Sequence, residues 1–392
     1  MTDTLKNPNP LPEVSSPTPA DLPADLSKGR DQVASTTGRG WVFMSTVGVL
    51  AIALVIGGLG LWWSMQPEKF DVVANAQQML GLDDGDEETN GGDDDGAGAQ
   101  TGAQTEAQTG VRGEGTEGKP VAGAVTVAAA VRVAETLLDR PGGYLHNDIL
   151  PPGILMDNMP SWEYGVLTEL RDSVRSLRND FSRSQTQSIE NIDLKNADSE
   201  FNFDADAWFL PSAEEEYRQG AVALRAYLDD LTTGSSQTAR FYARADNLSA
   251  YLAVVEKRLG SYGQRLTASV GDDELTAALT PFGGAGAQTL ERTTWDQIDN
   301  VFFEARGYSW ALLHMMKALS VDFEDVLQDK NAEVSLQQII RDLDKASMRK
   351  WSPMMLNGHG YGALANHSLV LASYIARANA AVLDLRMLLQ RG

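Results

Sequence analysis

Few side chains in this chain are equipped for chemistry, and one class is missing altogether. There is no cysteine, which removes disulfides, thiolate nucleophiles, zinc fingers and iron–sulfur clusters. Four histidines remain: His146, His314, His359 and His367. None has a second histidine at i+4, and neither H-E-x-x-H nor E-x-x-H occurs on a helix-like stretch, so no metal site is expected. His367 falls on a helical seam and reads as a hydrogen-bonded core histidine. Met354, Met355 and His359 share one loop. Their soft donors suit copper(I), but methionine-lined packing is the expectation.

Nucleophile and phosphate motifs are equally sparse. The sequence has no G-x-S-x-G elbow, no S-x-x-K with its partner motifs, no P-loop and no dinucleotide fingerprint. No cofactor is expected. A glycosidase needs only two well-placed carboxylates, and Glu163 is the best single candidate. It lies between Trp162 and Tyr164, where an aromatic setting raises a carboxyl pKa toward a general acid's. The plainer reading, which we expect, is an acidic residue complementing a helix N-terminus. A candidate binding groove combines Trp162 with Arg183, Gln185 and Gln187, the last three from the polar run 181–188.

The charge balance limits the partners. Of 392 residues, 54 are acidic and 32 basic, for a net charge of −22. That argues against binding to nucleic-acid phosphate. The excess is uneven: residues 41–120 hold 13 acidic and 3 basic side chains, and residues 121–392 hold 36 and 25.

The elements that would carry these residues follow from composition and spacing. Residues 1–40 are rich in proline and small polar residues and read as a disordered cytoplasmic tail. From Trp41 to Trp63 there is no charged residue. Residues 41–65 therefore read as a transmembrane helix, since about 20 apolar residues cross a hydrocarbon core of about 30 Å. Tryptophans at both ends suit the interface. Lys28, Arg30 and Arg39 precede the span and only Lys69 closely follows it. The positive-inside bias then keeps the N-terminus in the cytoplasm. An uncleaved signal anchor is expected; the alternative is a signal peptide cut near Ala74-Asn75-Ala76. Within the span, Ala53 and Gly57 have the small-xxx-small spacing that lets two helices approach.

Residues 66–120 read as an acidic Gly/Ala/Gln/Thr-rich linker. Its core is the disordered stretch 82–120, which contains Asp93 to Asp95 and the repeat around Gly98-Ala-Gln-Thr101. Residues 121–392 read as helix throughout. Apolar residues alternate steps of three and four, as in Leu167, Leu170, Val174, Leu177, Phe181, in Trp295, Ile298, Phe302, Ala305, and in Leu364, His367, Leu371, Tyr374. Ser212 with Glu215 and Thr294 with Gln297 fit capping boxes, and Pro160-Ser161 marks another start. The fold class expected is all-α: a bundle of six to eight helices behind one N-terminal transmembrane helix. Val121 to Leu138 is either a bundle helix or a partner-facing one.

Four stretches carry a resemblance: 141–165, 181–188, Phe241-Tyr-Ala-Arg-Ala-Asp-Asn-Leu248 and Glu256-Lys-Arg-Leu-Gly-Ser-Tyr-Gly-Gln-Arg-Leu266. They resemble the bacterial domain-of-unknown-function family 2333, over roughly residues 41–392. The resemblance implies a bacterial envelope protein and brings no activity, substrate or catalytic residue. The function expected is a non-enzymatic interaction or scaffold module in the inner membrane, its bundle in the periplasm. Its partners would be the lipid bilayer and an envelope protein or a second copy. The alternatives are a peptidoglycan hydrolase using Glu163, or a bundle that binds a lipid or small ligand.

Overall fold

Helix α1 runs from Lys28 to Trp63 in the computed structural model, which describes residues 28–82, 120–183, 189–269, 293–348, 355–358 and 365–391. No proline occurs between Pro23 and Pro67, so nothing interrupts the backbone ladder. The helix therefore starts inside the stretch expected to be tail. Its segment Phe43–Trp63 has mean hydropathy 2.2 and is long and apolar enough to cross a membrane. The chain divides into two units, Met1–Gly57 and Gly58–Gly392. The first consists, among described residues, of the greater part of α1.

The second unit begins with the last turns of α1 and is all helix among the described residues. Asp71 caps α2 (Val72–Met79) by accepting hydrogen bonds from the Val73 and Ala74 amides. Val72, Asn75 and Ala76 of α2 are buried, and Asn75 donates to the Ala128 carbonyl at 3.2 Å. Residues 66–80, expected as the start of the linker, thus belong to the packed unit. The acidic core of that expected linker lies outside the described residues. The chain resumes at Pro120 and enters α3 (Ala124–Asp139).

Helix α3 settles the reading of the Val121–Leu138 stretch. Ala124 through Val131 are all buried, because small and β-branched side chains let neighbours approach on every face. It packs against α2 and three of the helices that follow, α4 (Asn158–Ser176), α6 (Ala213–Thr233) and α8 (Ile298–Asp322), and the unit is completed by α5 (Ile192–Phe201), α7 (Ala245–Thr267), α9 (Glu324–Asp329), α10 (Glu333–Ala346) and α11 (His367–Gln390). From α3 onward the described residues thus hold nine helices, more than the six to eight expected. The short α9 breaks away from α8 at Phe323, and no long apolar repeat announces it. Helix α11 is also apolar enough to span a membrane. Here that apolarity serves the core: Leu371, Ile375, Ala378, Val382 and Leu385 are buried, and Arg377 pairs with Asp342 at 2.7 Å.

Two helix starts differ from the spacing argument. Ser212 does cap α6, accepting from the Glu215 amide at 3.4 Å. Thr294 does not open α8. The Gln297 amide donates to the Thr294 carbonyl in a preceding turn, and Trp295, expected on the seam, is 87% exposed. Helix α4 starts at Asn158, which places Pro160 in the first turn, where a missing N–H costs little.

Helices α4 and α8 cross closely, glycine against backbone. A Cβ added at Gly165 would lie 2.8 Å from the Tyr308 amide nitrogen and nearer still to the Glu304 carbonyl oxygen. One at Gly307 would lie 2.8 Å from the Trp162 carbonyl carbon and nearer still to its oxygen. No other residue fits either position without moving a helix.

Candidate functional site

The first turns of α4 place Trp162 and Glu163 against this crossing. Trp162 is buried and packs on Trp310, with ring centroids 5.4 Å apart. Glu163 is buried too. Its Oε1 accepts from Arg140 Nε at 2.9 Å and lies in ion-pair contact with Nη2 at 2.6 Å, and its Oε2 accepts from the Leu145 amide at 2.9 Å. Burial raises the Glu163 carboxyl to about 7, against the opposing pull of Arg140. Arg140 also donates to the Trp63 carbonyl at 3.0 Å. A buried carboxylate thus holds a cation, and the cation holds the end of α1.

Trp162 and Arg183 are not brought together. They lie at opposite ends of α4 and the π-turn Leu177–Phe181 that follows it, about 30 Å apart at helical rise. Gln185 and Gln187 lie outside the described residues, as do Met354 and His359. His367 is half-buried and accepts the Leu356 amide at Nδ1, 3.0 Å away. His146 sits in its loop beside the Pro160 carbonyl (3.0 Å) and Asp206 (3.3 Å). Among the described residues no three His, Asp or Glu side chains group as a metal site.

Sequence reasoning missed a set of contacts that fixes residues 63–70 to the bundle. Arg306 of α8 donates to Gln66 Oε1 at 2.9 Å. Lys69 bridges to Asp344 of α10 at 2.7 Å. His314 of α8 stacks on Phe70 with ring centroids 4.0 Å apart. Its Nδ1–H donates to the Trp310 carbonyl at 2.8 Å, and its Nε2 accepts the Phe70 amide at 3.2 Å. Those two bonds require the neutral ring. Accordingly, burial lowers the His314 pKa to about 4. Together with Arg140, α8 and α10 clamp the residues that leave α1.

A second polar cluster lies between α4, α7 and α8. Glu169 is buried and accepts from Tyr251 at 2.5 Å and Ser173 at 2.7 Å. Burial first, then neighbouring Asp172, raises its pKa to about 8. Asp172 accepts from Arg258 at 2.7 and 3.1 Å. Glu304 accepts from Arg265 at 2.5 and 2.8 Å and from Tyr262 at 3.2 Å. The segment 256–266, one carrier of the family resemblance, supplies Arg258, Tyr262 and Arg265. Their i, i+4, i+7 spacing beside an apolar seam was the available signal. The cluster cross-braces three helices from inside.

Open grooves lie elsewhere. One of about 490 Å³ runs along α5 and α6, lined by Asp193, Glu200, Glu215, Arg218, Val222 and Ala226 among others. Glu200 is raised to about 7, first by its hydrogen bond with Glu216 and then by burial.

A family model described as an uncharacterized protein conserved in bacteria, DUF2333, matches residues 35–392. No curated protein and no solved structure matches the chain.

Proposed function

The chain belongs to the bacterial DUF2333 family, and on that footing we propose that it is a membrane-anchored, non-enzymatic interaction module of the cell envelope. Phe43–Trp63 anchors it in the inner membrane with the N-terminus in the cytoplasm, and the helical unit works in the periplasm. The bias of Lys28, Arg30 and Arg39 over Lys69 supports that orientation.

One observation carries the non-enzymatic reading. Among the described residues three carboxylates are raised to about 7 or 8: Glu200, in the open groove and shifted first by its hydrogen bond with Glu216, and Glu163 and Glu169, which are fully buried with internal partners. A general acid must reach its substrate, and these two reach only groups inside the fold. The accessible groove lies along α5 and α6, where Val222 is exposed among carboxylates. That face suits a protein partner, another envelope protein or a second copy, bringing basic and apolar side chains.

The test is a photo-reactive residue in place of Val222 in the full chain in its native membrane. A discrete, reproducible protein adduct is expected; none from that position would refute the assignment of this face. Purified full-length protein incubated with peptidoglycan should release no muropeptides. Release that disappears in a folded Glu163→Gln variant would overturn the non-enzymatic reading. An alkaline phosphatase fusion after residue 391 should be active, and inactivity would reverse the orientation.

A further inference from the structure

We propose that two apolar loops at the α1 end of the helical unit dip into the same bilayer that α1 crosses, making a second, monotopic membrane contact. The proposal rests on reading Phe43–Trp63 as a span. It does not depend on a protein partner.

Three exposed apolar groups carry it. At the end of α1, Leu61 is 76% exposed and Trp62 54%. In the loop before α4, Leu150 is 71% exposed and Leu155 72%, with Ile149 and Ile154 beside them. In the loop before α6, Trp208, Phe209 and Leu210 are 55%, 66% and 80% exposed, and the Trp208 and Phe209 rings lie 5.3 Å apart. Isolated exposed apolar side chains are ordinary; a contiguous group of large ones marks an interaction surface.

The groups are joined. The Trp63 ring lies over Gly142, where an added Cβ would come within 2.7 Å of it, and a Cβ at Gly60 would sit 3.7 Å from Pro152. Arg140 holds the Trp63 carbonyl. The first loop is in turn tied to the second. Tyr144 donates to the Ala205 carbonyl at 3.3 Å, Asn147 donates to the Ala207 carbonyl at 2.7 Å, and His146 meets Asp206 at 3.3 Å. Both loop tips therefore continue the surface that begins where the apolar helix ends.

That continuity selects lipid as the occupant. A rim of Trp, Phe, Leu and Ile at the end of a spanning helix matches the interfacial region, where aromatic rings and apolar tips insert. The chemistry is apolar, not electrostatic. Residues 141–170 and 203–217 contain no lysine or arginine, and Asp148, Asp157, Asp204 and Asp206 lie in or beside the loops. Binding should therefore be as strong on phosphatidylcholine as on membranes containing phosphatidylglycerol.

The natural absence of cysteine makes the test direct. The full chain is reconstituted in phosphatidylcholine vesicles with one environment-sensitive label at a time, through Leu150→Cys, Phe209→Cys, Ile52→Cys in the span, or Ser235→Cys. Ser235 lies just past the far end of α6, about 30 Å from the loops at helical rise. Nitroxide lipids should quench the labels at 150 and 209 to within a factor of about two of the label at 52, while only the label at 235 is quenched by aqueous iodide. Labels at 150 and 209 that behave like 235, with 52 still quenched by lipid, would overturn the proposal and leave the span standing. Shielding from both quenchers would mean that protein covers the rim, and would overturn it too. Loss of lipid quenching at 52 would remove the span and the proposal together. All four positions are exposed, so unchanged circular dichroism is expected throughout.

Discussion

Replacing Gly307 by alanine tests the geometry on which the bundle depends. The new methyl carbon would meet the Trp162 carbonyl carbon at 2.8 Å, with the oxygen closer still. Ordinary contact begins near 3.4 Å, so α4 and α8 must part by at least about 0.6 Å. The obstacle is backbone on a helix and cannot rotate aside. A gap of 0.5–1 Å forfeits roughly a quarter to a half of each dispersion contact across it. The weakened packing would include that of Trp162 on Trp310, both buried, with ring centroids 5.4 Å apart. We expect a loss of about 3 kcal/mol, the upper end of overpacking effects, and a melting temperature lower by at least about 6 °C. Gly263→Ala in α7 is the matched control, because nothing lies within 4 Å of a Cβ there. It should gain about 0.5–1 kcal/mol from helix propensity and reduced unfolded-state entropy. Both are read by thermal melting of the full chain in one detergent. A Gly307→Ala protein melting within about 2 °C of the parent, or the two variants shifting in the same direction, would refute the close crossing.

Three further outcomes follow from the buried charges. Arg140→Met should cost about 3–5 kcal/mol by leaving Glu163 buried without its cation, and Arg140→Met with Glu163→Leu should recover most of that. Urea titration of the cycle decides it, and a single variant within about 1 kcal/mol of the parent would sink the ion-pair assignment. Glu169 is raised to about 8 in the fold against 4.5 ordinarily, so the folded state holds its proton longer. Its contribution is fully present below about pH 4.5 and is lost as pH rises through about 8. Glu169→Gln should flatten the decline in stability between about pH 5 and 8.5; an unchanged slope would place the titration elsewhere. His314 runs the other way: with its folded value lowered to about 4 from 6.5, its share is present above about pH 6.5 and lost as pH falls through about 4. The proton spectrum of its ring should stay that of neutral imidazole down to about pH 4.5, and a midpoint near 6.5 would contradict its burial against Phe70.

Periodicity revealed most of the helices, because a buried face writes its pattern locally. Leu167, Leu170, Val174, Leu177 and Phe181 are buried along the expected seam, as is Leu371 on the last one, where Tyr374 is half-buried, and Ser212 caps where its spacing placed it. The candidate residues were less legible. Trp162 and Glu163 stood out through an aromatic–acidic juxtaposition, yet the sequence held no hint that the partner of Glu163 is Arg140, 23 positions away and outside any helix. The clamp on residues 63–70 was hidden more deeply. Its contacts join residues 77 to 275 positions apart, and no local repeat encodes a single long-range pair. Composition also misled at residues 66–80. Pro67 and the acidic run that follows made them look like linker, whereas one aspartate cap and three buried side chains make α2 a packed helix.

The anchoring of both α2 and α3 in one packed unit changes what the acidic stretch between them is. Leu82 and Pro120 belong to the same unit, so the stretch between them does not separate the bundle from α1. The separation between Trp63 and the bundle is therefore set by the contacts of residues 63–70 and not by that stretch. A single residue added between Trp63 and Phe70 would put Gln66, Lys69 and Phe70 out of register with Arg306, Asp344 and His314 and break the mounting.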